Sequence, residues 1–304
     1  MEIAVLGGGH GCYAAAAELS GNGHRVRLWR RDEQALKAVA DAGSIHVKDF
    51  AGEREVPISL PTADLSEAVT GAELIVMPLP STTHESLSQQ LAPLLVDGQV
   101  VFLPPGTFGG FMLAKAMHDT GNNADVSIAE TGTLPYLARK HGPREVVISG
   151  FGKHLPTGVF PARNAEYALS VIQQAYPAVL PCGDLLSGAL MNAGPIIHPP
   201  LIIMNAGPLE HFESWDIHNE GTQPAIRRVT DALDEERIAV REALGYGGPH
   251  FPLRDHYASE GPEWMYGRGA HDNAGRRGAA SLAFNELPLD RGRGHGVSGG
   301  IDRR

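Results

Sequence analysis

An apolar strand that runs directly into a glycine-rich turn and an alanine-rich helix constrains this chain more than any other feature. Ile3-Ala-Val-Leu6 is followed by Gly7-Gly-Gly9-His10-Gly11-Cys12, then by Tyr13 and four alanines. The spacing is that of a G-x-G-x-x-G turn between a strand and a helix, with Cys12 in the third position. Gly7 permits a tight turn and Gly9 a close approach of backbone to a pyrophosphate. The helix N-terminus offers amide N–H groups and the positive end of its dipole. Cys12 is small enough for close helix–strand packing. A glycine turn alone is a common structural device. Here the strand, the small-residue helix and a second strand at the right distance point to a dinucleotide, with Gly7, Gly9, His10 and Gly11 as its cradle.

The second strand, Arg25–Trp29, bears on which dinucleotide. An acidic residue after it would accept from the ribose 2′-hydroxyl of NAD and repel a 2′-phosphate. Arg30 stands there, with Arg31 beside it and Asp32 next. Two guanidiniums suit a phosphate, which points to NADP. Asp32 turned back to the ribose would favour NAD instead, so NADP or NAD is the expected cofactor.

A chain of 304 residues has room for two domains. Apolar strands at Ile3–Leu6, Arg25–Trp29, Leu74–Met77, Val100–Leu103, Val126–Ala129 and Val146–Ser149 alternate with helices at Cys12–Ser20, His84–Leu95 and Phe111–Thr120. That alternation predicts an α/β domain with a parallel sheet covered on both faces. A helix is expected over Ala165–Tyr176. After it comes the long apolar segment Leu185–Asn205, interrupted by Pro195, Pro199 and Pro200. An amphipathic helix from Thr222 to Leu244 follows, with Thr222 as its N-cap. Ile226, Val229, Leu233, Val240 and Leu244 share one face, and Gly245 provides the stop. The organisation expected is residues 1–183 as a nucleotide-binding domain, 184–266 as a helical domain and 267–304 as a loose tail. That tail holds nine glycines and seven arginines in 38 residues.

A net charge of −10 argues against a nucleic-acid partner. Two cysteines exclude a disulfide framework and a cysteine-based zinc site. No run of about eighteen consecutive apolar residues suggests a membrane helix, and the first residues do not resemble a secretory leader. A cytoplasmic location is the expectation.

Several ordered blocks resemble the octopine/nopaline (opine) dehydrogenase family. Ala72-Glu-Leu-Ile-Val-Met-Pro78-Leu-Pro80 is similar to its fourth strand and loop, and Val101-Phe-Leu-Pro-Pro105-Gly106 to its Pro-Gly loop. Ile128-Ala-Glu130-Thr-Gly-Thr-Leu-Pro135-Tyr136-Leu-Ala-Arg139 resembles the next loop. Asn192-Ala-Gly-Pro-Ile-Ile-His198-Pro199 is the most telling block, and Asn219-Glu220-Gly221 and Asp234-Glu235-Glu236-Arg237 follow in family order. The resemblance spans Met1 to Tyr266. It implies a Rossmann domain followed by an all-α domain of the 6-phosphogluconate-dehydrogenase C-terminal type, with the site between them. It also implies reductive condensation of an amino acid with an α-keto acid, and a possible homodimer. On the loops after sheet strands, where ligand contacts are expected, Pro80, Pro105, Gly106 and Glu130 would lie against the cofactor and Tyr136 against the substrate. Asn192, one to two turns before His198 on the same segment, would hold the substrate.

Such a reaction needs a hydride donor, an oriented imine and a group that exchanges a proton. Histidine suits the last role because its free pKa lies near working pH. The resemblance makes His198 that group. The substrate carboxylates call for a cation, and Arg139, Lys140, Arg227 and Arg228 are available. The family's histidine is assisted by an aspartate from a C-terminal segment. Asp255, Asp272 and Asp290 are candidates without a matching motif, because after Tyr266 the chain stops resembling the family. His211 and His218, or His250 and His256, lack the spacing of a metal site, so no metal is expected.

Two other readings share the architecture. A ketone-reducing enzyme of the ketopantoate reductase or glycerol-3-phosphate dehydrogenase type would use a lysine in the catalytic helix, and Leu185–Gly207 holds none. A catalytically impaired NADP-binding protein would keep the cradle and lose turnover.

Overall fold

The computed structural model describes residues 1–256 together with Ala258, Gly261, Glu263, Met265 and Tyr266. The tail expected over 267–304 lies outside the described residues, as do Asp272 and Asp290.

Strand β1 (Glu2–Leu6) leads into helix α1 (His10–Gly21), then β2 (Arg25–Trp29) and α2 (Glu33–Ala42). A hairpin of β3 (Ser44–Asp49) and β4 (Gly52–Pro57) precedes the short β5 (Leu60–Thr62), α3 (Leu65–Val69) and β6 (Leu74–Val76). The alternation continues through α4 (His84–Leu91), β7 (Val100–Leu103), α5 (Gly109–Thr120) and β8 (Ser127–Thr131). Next come β9 (Tyr136–Lys140), β10 (Glu145–Phe151), β11 (Leu155–Phe160), α6 (Ala165–Ala175) and β12 (Val179–Asp184). The helical part consists of α7 (Leu185–Ala189), α8 (Gly194–Met204), α9 (Ala206–His211) and α10 (Pro224–Ala243).

The main sheet has the order β12-β11-β8-β7-β6-β1-β2-β5. Six of its strands run parallel, while β11 is antiparallel to β8 and carries β12 parallel to itself. Ile3–Leu6, Leu74–Val76 and Val100–Leu103 are fully buried because helices cover both faces of the sheet.

Val146–Ser149 does not join this sheet, contrary to expectation. It forms part of β10 in a second sheet of order β4-β3-β10-β9. A buried apolar run reads alike in either setting. Its partners were not visible as apolar runs: β4 is exposed at five of six positions, and β9 ends in Arg139-Lys140. The second sheet packs on α1 opposite the main sheet. A helix held between two sheets must be narrow and apolar all round, which Cys12 and Ala14–Ala17 satisfy.

The long apolar segment splits in two. Leu185–Met204 is long and apolar enough by composition to cross a membrane, and nearly half of its most apolar stretch is buried. A turn between α7 and α8 breaks it, and the Asn192 side chain accepts from the Gly194 amide at 2.8 Å. The last long helix begins at Pro224 rather than Thr222, whose hydroxyl donates to the Ile217 carbonyl instead of capping.

The buried face of α10 also differs from expectation. Val229, Val240 and Leu244 are exposed, whereas Ile226, Thr230, Asp234, Arg237 and Arg241 face inward. Arg237 donates to Asp234 at 2.7 Å and to the Leu190 and His250 carbonyls at 3.0 Å, and Arg241 donates to the Ser187 carbonyl at 2.7 Å. These long cations tie α10 to α7 and to the following loop, so polar groups occupy the stripe that patterning assigns to apolar ones. The two parts also meet through Met191, Phe251, Met265 and Tyr266, which pack with Leu137 of β9.

Candidate cofactor and substrate site

At the end of β1, Gly7 has φ +122°, and a Cβ there would lie 2.4 Å from Leu79 and 2.7 Å from the Cys12 sulfur. The Cys12 thiol donates to the Leu6 carbonyl at 3.5 Å and the Pro78 carbonyl at 3.6 Å. A small third residue is needed because strand, loop and helix converge on it. Gly9 caps α1 with no side-chain bond, and nothing lies within 4 Å of where its Cβ would be. Gly9 and His10 are exposed at this end. An open turn at a helix N-terminus fits a dinucleotide pyrophosphate.

Arg30 lies across the same turn, its side chain within 2.6 Å of a Cβ position on Gly8. It donates to the Tyr13 hydroxyl at 3.4 Å and to the Ala35 carbonyl at 3.2 Å. The Lys140 ammonium stands 3.9 Å from the centroid of the same Tyr13 ring. Burial, and then the nearby Arg30 charge, push the Lys140 pKa down to about 8. Among the described residues no carboxylate pairs with either cation. The Lys140 amide donates to Nδ1 of His10 at 2.8 Å, so the neutral ring carries its proton on Nε2. Asp32 does not turn back to this corner: it caps α2 by accepting from the Ala35 amide at 2.9 Å. Arg31 is exposed.

The loop after β7 forms the next wall. Thr107 and Phe108 both have left-handed φ, +50° and +65°, a strained arrangement for non-glycine residues. Two side chains hold it. Glu130 accepts from the Phe108 amide at 3.1 Å and from the Gly110 amide, and Asn192 donates to the Thr107 hydroxyl at 2.6 Å. Glu130 is fully buried, and a Cβ on Gly106 would stand 2.1 Å from it. Burial pushes its carboxyl up to about 7 against the pull of the two amides. Glu130 thus supports the loop from beneath rather than facing a cofactor. Pro105 is half-buried on that loop, and Pro80 is exposed beyond β6, where its carbonyl accepts from the Thr83 amide at 3.0 Å.

Asn192 joins this loop to the start of α8, one turn before His198. His198 is exposed on one side. Its pKa is lowered by burial against protein on the other side, then by the charge of Arg139, while the Gly194 backbone opposes the shift. His218 is lowered likewise by burial, then by His198, with Asp216 opposing and Arg139 adding. Arg139 thus lies close enough to both His198 and His218 to disfavour their charged forms. In the sequence His218 stands out only as a candidate metal ligand, and nothing in its spacing marks it as a neighbour of His198.

Tyr136 is a correction. It is 2% exposed, packed between Phe151 and Tyr176 in the core, because even-numbered residues of β9 face α1. Asp255 pairs loosely with Arg254 at 3.9 Å. Among the described residues no group of three or more histidine, cysteine or acidic side chains is arranged to hold a metal.

Residues 181–276 match the family described as NAD/NADP octopine/nopaline dehydrogenase, alpha-helical domain. Residues 2–104 match the N-terminus of NAD-dependent glycerol-3-phosphate dehydrogenase. The opine dehydrogenase of Arthrobacter sp. (strain 1C) is 28% identical over 246 residues, covering 81% of this chain and 68% of that one. The structure of octopine dehydrogenase in complex with NADH and agmatine superposes with a TM-score of 0.63 at 22% identity, over 80% of this chain and 64% of that one. Yersinopine dehydrogenase with NADP+ bound gives a TM-score of 0.65 at 18% identity, over 81% and 64%. At these identities the solved structures establish a shared fold, a Rossmann-type domain followed by a helical one. The chain spans 64% of the length of each of these two structures.

Proposed function

We propose, from the chain's membership of the NAD/NADP octopine/nopaline dehydrogenase family, that it condenses an amino acid with an α-keto acid reductively, using NADPH in preference to NADH. The observation that carries this reading is the meeting of two sites. Strand β9 joins them: its Lys140 amide donates to Nδ1 of His10 at the glycine turn at 2.8 Å, and the neighbouring Arg139 acts on His198 of α8.

In the overall reaction an amine adds to the keto-acid carbonyl, water leaves, a hydride reduces the imine carbon and a proton reaches nitrogen. One amine, one keto acid, one reduced nucleotide and one proton give a secondary amine, water and the oxidised nucleotide. The reduced nucleotide, when bound, supplies the hydride. The chain supplies position and proton management. Gly9, His10 and the first amides of α1 would hold the pyrophosphate. Arg30 and Lys140 would hold the 2′-phosphate, which favours NADPH. His198, kept neutral at working pH by burial and by Arg139, would take a proton from the attacking amine and return one to the leaving oxygen. The strained Thr107–Phe108 loop would position the reacting end against α8.

The ketone-reducing reading retains one supporting observation, the match of residues 2–104 to glycerol-3-phosphate dehydrogenase. A single experiment separates the two. The protein is incubated with NADPH, pyruvate or 2-oxoglutarate and a panel of amino acids, and products are identified by mass. A secondary amine dicarboxylate supports the opine reading. A 2-hydroxy acid formed without regard to the amine contradicts it.

A further inference from the structure

Strand β9 separates two kinds of residue by its pleat. Tyr136 and Ala138 point into the core beneath α1. Leu137 points the other way, against the cluster of Met191, Phe251, Met265 and Tyr266. Arg139 shares the Leu137 face by the period of two, which directs it toward α8. There it acts on both His198 and His218. Lys140 returns to the α1 side, over Tyr13.

Arg139 is incompletely satisfied. One terminal nitrogen donates to the Ala138 carbonyl at 3.0 Å, while the buried Nε has no acceptor. Among the described residues no carboxylate lies within ion-pair distance of its guanidinium. A partly buried cation with an idle donor carries a desolvation cost that an arriving anion would offset. The nearby acid, Asp216, is engaged by the amides of His218 and Asn219 and by the Asn219 side chain. The other cations fit less well: Arg227 and Arg228 are exposed on α10.

We propose that Arg139 is the carboxylate-binding residue of this junction, taking the carboxylate of the α-keto acid through charge-assisted hydrogen bonds and so holding the reacting carbon beside His198. The inference rests on the reaction proposed above for the choice of acid. The anion site itself rests on the placement of Arg139.

The test titrates pyruvate, 2-oxoglutarate and the uncharged methyl pyruvate into protein saturated with NADP+, for wild type, Arg139→Gln and Arg139→Lys. Loss of a charged hydrogen-bonding partner should weaken both keto acids about ten- to a hundredfold in Arg139→Gln. Methyl pyruvate affinity, NADPH affinity and Tm should be unchanged, and Arg139→Lys should recover part of the loss. Equal keto-acid affinity in wild type and Arg139→Gln would overturn the proposal. So would an equal loss for pyruvate and methyl pyruvate, or a wild type that does not prefer the acid. If wild type shows Arg139-dependent pyruvate binding without amine-dependent NADPH oxidation, the reaction assignment fails and the anion site stands.

Discussion

Lys140 holds its ammonium 3.9 Å from the ring centroid of Tyr13, so a strand of the second sheet touches the helix that follows the glycine turn. The Tyr13 hydroxyl accepts from Arg30, and the ring thereby gathers two cations without a carboxylate between them. The arrangement suits a doubly charged phosphate far better than a ribose hydroxyl.

Lys140→Met should therefore raise the KM for NADPH about ten- to a hundredfold and leave that for NADH nearly unchanged. Arg30→Asp should invert the preference. Steady-state kinetics with both nucleotides checks this. Equal effects on the two would show that Lys140 serves the fold and not the phosphate.

Glu130 gives a stability prediction. Glu130→Ala leaves the Phe108 and Gly110 amides unpaired beneath a strained loop, at a cost of about 2–4 kcal/mol. Denaturant unfolding should show it, together with weaker NADPH binding. The pH dependence has a definite sign. The folded-state pKa is raised from 4.5 to about 7, so the contribution is fully present below 4.5 and fades as pH rises through 7. Glu18, also raised to about 7, acts in the same direction, and His256, lowered to about 4, acts in the opposite one. The difference between wild type and Glu130→Gln isolates one group. It should move against wild type by about 3 kcal/mol between those limits. A flat difference would mean that Glu130 stays ionised.

For His198, burial and Arg139 both lower the pKa below its ordinary 6.5. In the opine-oxidising direction the histidine accepts a proton, so the acidic limb of kcat/KM should lie below pH 6.5. Arg139→Gln should move that limb upward, with His218 and Asp216 still in place. An unmoved limb would separate Arg139 from His198.

Arg237 and Asp234 are both nearly inaccessible on α10, with side chains 6% and 7% exposed. Arg237→Leu leaves Asp234 buried without its partner and should cost about 3–5 kcal/mol, seen as a lower midpoint in denaturant. Pairing it with Asp234→Leu should restore part of the loss. A double variant no better than the single would show that the carbonyl contacts of Arg237 dominate.

The main sheet was legible because β1, β6 and β7 are buried on both faces and read as continuous apolar runs. The glycine turn was legible for a different reason: a close approach there tolerates few residue types. The second sheet was not, since β4 faces solvent and β9 ends in two cations whose opposite directions depend on partners distant in sequence. The same holds within the site. Arg30 and His198 could be singled out, one by its place after β2 and the other by resemblance. That Arg139 faces His198 while Lys140 faces Tyr13 follows from the pleat of β9, which no local pattern announced. Glu130 and Tyr136 were assigned to ligands because they stand near a strand end. Packing turns Glu130 under the loop and Tyr136 into the core. On α10, Val229, Val240 and Leu244 of the expected apolar stripe are exposed because arginine stems and backbone carbonyls claim the inner face.

The central claim is that the His198 imidazole moves the proton at the junction of the two parts. The most direct measurement is NADPH oxidation by wild type and His198→Ala with a keto acid and an amino acid, beside NADPH binding by fluorescence. The account predicts turnover that requires both substrates and falls about a hundredfold or more in the variant, with NADPH affinity retained. Undiminished turnover in His198→Ala would contradict it.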